Sequence, residues 1–338
     1  MGRTGYRGIA DATGKTLIRF ILMANEDNGR SRGFMTGVFL RHHRNPLITA
    51  EDMPYLANTV FNAGVADLGD EVVLVLRVES CSGRSHLIAA RSDDCVGGWE
   101  MDDRALLHPS EGYRHEENGV EDCRVTWMEE LGCWFLVYTA YGRHGPAIAI
   151  AKTTDFKSVE RLGVVIPPNN KNAALFPCTF DGRYAMLIRE TGGSVWLSYS
   201  PDLQYWGNPE PVLPPRGGPW WDNIRVGAGL QPLRTEDGWL LVYHGVKELA
   251  EQPIYRIGGA LTDLEEPHRL TARCRRWLLS PKTSYERMGD APNVIFSCGG
   301  FVRDSTLWMY YGAADSCVCL ATASMDDILD VVEEEKVG

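Results

Sequence analysis

The 338-residue chain has no Gly-rich phosphate loop, no GxSxG elbow, no HExxH and no cluster with metal-ligand spacing, which argues against nucleotide, serine-hydrolase and zinc chemistry. It also has no CxxC pair. Its nine cysteines are an odd number at irregular intervals, unsuited to a disulfide framework, and read as free thiols of a reducing, cytoplasmic compartment. Runs of Lys or Arg are missing, and a net charge of −11 with a pI near 5.3 makes nucleic acid or an anionic membrane an unsuitable partner. Any anion bound here must therefore be held by a local cluster of cations. The one early apolar run, LIRFILMA, is interrupted by Arg19, is too short to span a bilayer and is followed by no convincing cleavage site. Residues 1–44 are accordingly expected to form an ordered N-terminal arm, a candidate for homo-oligomer contacts, ahead of one domain over 45–338.

Stretches of helical period are scarce too; what is present is a slow repeat. An alternating apolar stretch, then Ser or Thr, then Asp, recurs as LIAARSDD, AIAIAKTTD, VWLSYSPD, YRIGGALTD and CVCLATASMDD. The closing residues are Asp94, Asp155, Asp202, Asp263 and Asp326, at intervals of 61, 47, 61 and 63. Alternation of this kind is strand-like, and Gly, Pro, Asn and Asp punctuate the intervals. Units of this length, rich in short strands, suit the four-stranded blades of a β-propeller, so the fold class expected is all-β, a five-bladed propeller. The Ser/Thr-x-Asp element reads as a turn in which side chains bond local amides. Only the tail, SMDDILDVVEEEKVG, looks helical.

Charged residues stand inside several of the apolar runs: Arg77 in VLRVES, Asp122 and Arg124 in NGVEDCRVT, Lys171 in NNKNAALFP, Arg189 in LIRET and His244 in VYHGV. Buried charges need partners or ligands. Taken singly, each reads as a structural ion pair, Arg124 with Glu121 for instance. Taken together, Lys171, Arg189 and His244 come from three repeats that a propeller would bring to one axis, where they would suit a phosphate. Asp122, among apolar neighbours, is expected to have a raised pKa, the state a general acid needs. The Trp pair in RGGPWWDN suits stacking on a sugar face.

The segments NPLIT, VFNAGVAD, LRVES, GVEDCRVT, NKNAALFP, IRVGAG, TEDGWLLVYHGV, GGALTDLEEP, YERMGDAPNVIFSCG and YYGAAD resemble, in order from about Asn45 to the C-terminus, the landmarks of glycoside hydrolase family 130, the β-mannoside phosphorylases and related β-mannosidases. That resemblance implies a five-bladed propeller that phosphorolyses short β-mannosides with inversion, giving α-mannose 1-phosphate. It puts the catalytic acid on Asp122, the phosphate-binding set on Lys171, Asn172, Arg189 and His244, and the mannose subsite on Asn62, Arg77, Arg124 and Asp315. Inorganic phosphate is then co-substrate, and no cofactor or metal is implied. Two departures stand out: Cys123 and Glu190 replace prolines of the family pattern. Glu190, an added carboxylate near the phosphate site, keeps an inverting exo-β-mannosidase open as the alternative, since hydrolysis needs a base for water. A third reading is a catalytically silent carbohydrate-binding propeller.

Overall fold

The computed structural model describes residues 37–110, 112–190 and 192–337, so most of the expected arm lies outside the described residues. Almost all the regular structure of the described chain is strand, with two short α-helices, and it forms a five-bladed β-propeller. The first blade comprises Thr59–Asp67, Val72–Glu79, Ser85–Ser92 and Glu100–Met101; the second, Gly119–Met128, Cys133–Gly142, Gly145–Thr153 and Glu160–Ile166. The third comprises Lys171–Phe180, Arg183–Arg189, Val195–Ser200 and Gly207–Leu213, and the fourth Arg225–Ala228, Trp239–Lys247, Ile254–Thr262 and Leu270–Arg273. Within each blade the strands run antiparallel, and one parallel pairing, Ser85 with Gly119, links the first two blades.

The fifth blade contains Ile295–Arg303, Thr306–Ala313 and Cys317–Ser324, and takes its outer strand from the other end of the sequence: Leu40–Arg41 pairs antiparallel with Cys317–Ser324. This strand lies within the arm expected over 1–44 and ties the ring's start to its end. Arg41 strengthens the tie, donating from Nε and Nη2 to the buried carboxylate of Glu286 at 2.7 and 2.9 Å, which also accepts from Tyr311 Oη at 2.9 Å.

Period-two alternation explains why the central strands are apolar throughout. In Val72–Glu79, Leu74 and Leu76 pack with Tyr310 and Leu320 of the fifth blade, while Val73 and Val75 pack with Leu136 and Tyr138 of the second. A strand between two blades has no solvent face, and each buried aliphatic side chain contributes about 2 kcal/mol.

The repeated aspartates sit where expected, at the end of each blade's third strand. Asp155 Oδ1 accepts from the amides of Lys157 and Ser158, Asp202 Oδ1 from Gln204 and Tyr205, and Asp263 Oδ1 from Glu265 and Glu266, all at 2.9–3.1 Å. Asp94 makes the same turn with Val96 and Gly97. In the fifth blade Asp326 instead opens the helix Met325–Glu333, because Leu40–Arg41 already occupies the edge to which an outer strand would return. No described helix is long and apolar enough to cross a membrane.

Candidate active site

Every blade sends residues to one cavity of about 330 Å³, and a shared backbone device aims three of them. Asn62, Asp122 and Asn172 have φ of 50°, 52° and 57°, and each falls at a register shift in its blade's innermost strand. A bulge turns one side chain out of the pleat, and Asn and Asp tolerate the left-handed conformation that it requires. The inner strands therefore present short polar groups to the axis instead of continuing the apolar alternation.

Asp122 is pinned from the first blade: its Oδ1 accepts from Asn62 Nδ2 at 2.9 Å and Arg77 Nη1 at 3.0 Å. Arg77 also donates to Glu121 Oε1 at 3.1 Å and Ser85 Oγ at 2.9 Å. Burial pushes the pKa of Asp122 up, but the charges of Arg77, Arg124 and Lys171 outweigh it, and the carboxyl is held well below its ordinary range. The expectation of a raised value is thus reversed, because the apolar neighbours in sequence are not its neighbours in space. Asp315, in the same cavity, is pushed up to about 6 by its own burial and the nearby Asp122 charge.

On the side of the third and fourth blades the cavity is lined by Lys171, Arg189 and Arg225. None has a carboxylate within ion-pair distance among the described residues. Arg225 donates from Nη2 to Tyr255 Oη at 2.8 Å, while its buried Nε finds no acceptor. Burial and the adjacent Arg225 push Arg189 down to about 10, so it stays charged at neutral pH under like-charge repulsion. Three unneutralised, half-buried cations lining one cavity are costly unless an anion joins them.

Asn62, Arg77, Asp122, Lys171, Asn172, Arg189 and Asp315, all expected from the sequence, line this cavity. His244 and Arg124 do not. His244 is fully buried behind it, tilted against Phe296 with ring centroids 4.5 Å apart, and Asn172 Nδ2 lies 3.4 Å from its Nε2. Burial and the surrounding Arg189, Arg124, Arg225 and Lys171 hold its pKa far below the ordinary value, so the ring is neutral. Arg124 does not pair with Glu121; its guanidinium donates to the carbonyls of Gly229, Ala228 and Asp122 at 2.8–2.9 Å, tying the second blade's inner strand to the fourth. Glu190 is exposed and outside the cavity lining. Trp221 is core, stacked on Tyr243 with centroids 5.6 Å apart.

Arg225, Tyr255 and Phe296 were missed from sequence. Arg225 had a signal, a basic residue opening an inner strand as Lys171 does. The two aromatics had none, being indistinguishable from core residues until the ring closes.

Two glycines keep the polar groups in place. A Cβ on Gly227 would come within 2.7 Å of His244 Nε2 and 3.0 Å of Asn172 Nδ2, and one on Gly312 would overlap Asn62 Oδ1. Gly227→Ala is expected to raise the apparent KM for the anionic substrate several-fold with little loss of kcat, whereas Gly312→Ala, which displaces the group holding Asp122, lowers kcat. Steady-state kinetics of the two variants checks the split, and equal effects on both parameters would count against it.

Residues 42–334 match the family model for β-1,4-mannooligosaccharide phosphorylase, glycoside hydrolase family 130. The chain is 34% identical over 311 residues to a β-1,4-mannooligosaccharide phosphorylase of Ruminococcus albus, covering 88% of this chain and 91% of the relative. It is 36% identical over 247 residues to a 1,2-β-oligomannan phosphorylase of Thermoanaerobacter, covering 72% and 80%. Among solved structures, the β-1,2-mannobiose complex of the Listeria innocua β-1,2-mannobiose phosphorylase superposes with a TM-score of 0.80 at 29% identity, covering 88% of this chain and 99% of that one.

Proposed function

The chain belongs to glycoside hydrolase family 130, and from that premise we propose that it phosphorolyses short β-mannosides with inversion, releasing α-mannose 1-phosphate. The observation that carries this reading is the trio Lys171, Arg189 and Arg225, cations without counter-ions among the described residues, in the cavity that also holds Asp122. Phosphate on this trio attacks the anomeric carbon from one face of the sugar. Asp122, fastened to the first blade, serves the glycosidic oxygen on the other, the separated arrangement an inverting enzyme needs. Asn62, Arg77 and Asp315 contact the mannosyl unit, and Asn172, steadied by neutral His244, adds an uncharged donor to the phosphate. Arg124 acts from below as the brace between blades. The compartment we assign is the cytoplasm, where nine unpaired thiols stay reduced.

Hydrolysis is the weaker reading. The only carboxylates lining the cavity among the described residues are Asp122 and Asp315, and none stands in the cation cluster to activate water. The test is product analysis on β-1,4- and β-1,2-mannobiose with and without phosphate. Mannose 1-phosphate formed only with phosphate is expected, and the better substrate names the linkage; free mannose at equal rates in both tubes would overturn the proposal.

An acid held as a carboxylate by Arg77, Arg124 and Lys171 must gain a proton before turnover. Phosphate supplies the means: it cancels part of the positive field from Lys171 and adds negative charge nearby, both of which raise the proton affinity of Asp122. The ionisation assigned to Asp122 is therefore expected at higher pH in the profile of kcat, which reports the substrate-bound enzyme, than in that of kcat/KM. Coincident values would refute this coupling.

A further inference from the structure

The strand Ile254–Thr262 separates the catalytic cavity from a second one. Successive strand residues face opposite ways: Tyr255 lines the catalytic cavity, and Arg256 lines a cleft of about 570 Å³ together with Trp220, Lys247, Arg275 and Trp277. Among the described residues the cleft has no carboxylate in its lining, although the chain as a whole carries a net charge of −11. Lys247, Arg256 and Arg275 have no carboxylate within ion-pair distance among the described residues, and neither does the neighbouring Arg287. Arg256 is the telling member. Its Nε donates to Ser280 Oγ at 3.0 Å, but Nη1 is buried without an acceptor, and burial together with the Arg287 charge lowers its pKa. Its guanidinium lies 4.4 Å over the ring of Trp277, which leaves 37% of that residue exposed.

An unneutralised, half-buried arginine and a partly exposed indole are each unfavourable, and one ligand relieves both if it joins a negative charge to an apolar ring face. We propose that this cleft is a second, non-catalytic site for a phosphorylated hexose, its phosphate held by Arg256 with Lys247 and Arg275 and its pyranose face on Trp277. The choice of a hexose rests on the phosphorolysis reading, whose product is a hexose phosphate; the anion site itself does not.

Mannose 6-phosphate serves as probe, because its phosphate is not anomeric and it cannot be turned over. Calorimetric titration is done in an Arg189→Gln background, which weakens anion binding in the catalytic cavity. One saturable site per chain is expected, weakened at least tenfold by Arg256→Gln or by Trp277→Leu, with inorganic phosphate and free mannose each at least tenfold weaker than the probe. Trp277 is partly exposed, so Trp277→Leu decides the matter should Arg256→Gln fail to fold, and introduced alone, with Arg189 intact, it phosphorolyses at the wild-type rate in the absence of probe. No saturable heat, affinity unchanged in the variants, or inorganic phosphate binding as tightly as the probe would each overturn the proposal. Binding of the probe by a chain whose mannoside cleavage ignores phosphate would keep this site and reject the phosphorolysis reading.

Discussion

Asp122→Asn is expected to lower turnover of β-mannobiose by roughly three orders of magnitude, within the range of about 10² to 10⁴ that a positioned general acid contributes. The substitution is chosen to leave the fold intact. Residue 122 has φ 52°, which Asn adopts readily and most residues do not. The amide oxygen of Asn still accepts from Asn62 and Arg77, which now donate to Asp122 Oδ1 at 2.9 and 3.0 Å. Ala would fail on both counts, adding backbone strain and leaving Arg77 short of an acceptor at Nη1. The role is tested with a second substrate, an aryl β-mannoside whose leaving group needs no proton. For Asp122→Asn the deficit on that substrate is expected to shrink by at least tenfold relative to mannobiose. A deficit of the same size on both would mean that Asp122 positions the sugar and is not the acid.

Arg189→Ala is expected to raise the phosphate KM by about 10- to 100-fold, the loss of one charge-assisted contact worth roughly 1.5–3 kcal/mol. Thermal stability supplies an independent readout. Arg189 is half-buried beside Arg225, and the burial and repulsion that push its pKa down to about 10 disfavour the charged form in the folded state. Removing the side chain therefore leaves the phosphate-free protein no less stable. Phosphate stabilises whatever binds it by mass action, so wild-type Tm climbs with phosphate concentration while that of Arg189→Ala climbs much less. An unchanged phosphate KM, or an equal rise in Tm, would remove Arg189 from the phosphate site.

These expectations depend on features the chain reveals unequally. The blade number was legible because it rests on local physics: alternation along AIAIA and VWLSYS makes strands, and Asp155, Asp202 and Asp263 close their turns with amides two and three residues away. Asp122, Lys171 and Arg189 were legible because a charge inside an apolar run is conspicuous anywhere. Their partners were not. Glu121 lies three residues from Arg124 yet binds Arg77, and Arg124 reaches the carbonyls of Gly229 and Ala228 more than a hundred residues away.

The sequence by itself thus determined the strands, the turns, the repeat and the chemical types available to the site. Tertiary structure alone decided which of those groups meet, and with that the sign of the Asp122 shift, the absence among the described residues of counter-ions around Lys171, Arg189 and Arg225, and the withdrawal of His244 and Arg124 behind the cavity wall. The reason is range. Hydrogen bonds that shape a strand or turn are settled within a few residues. Burial and Coulomb energy depend on every charge within several ångströms, and in a propeller those charges come from blades that touch only once the ring has closed.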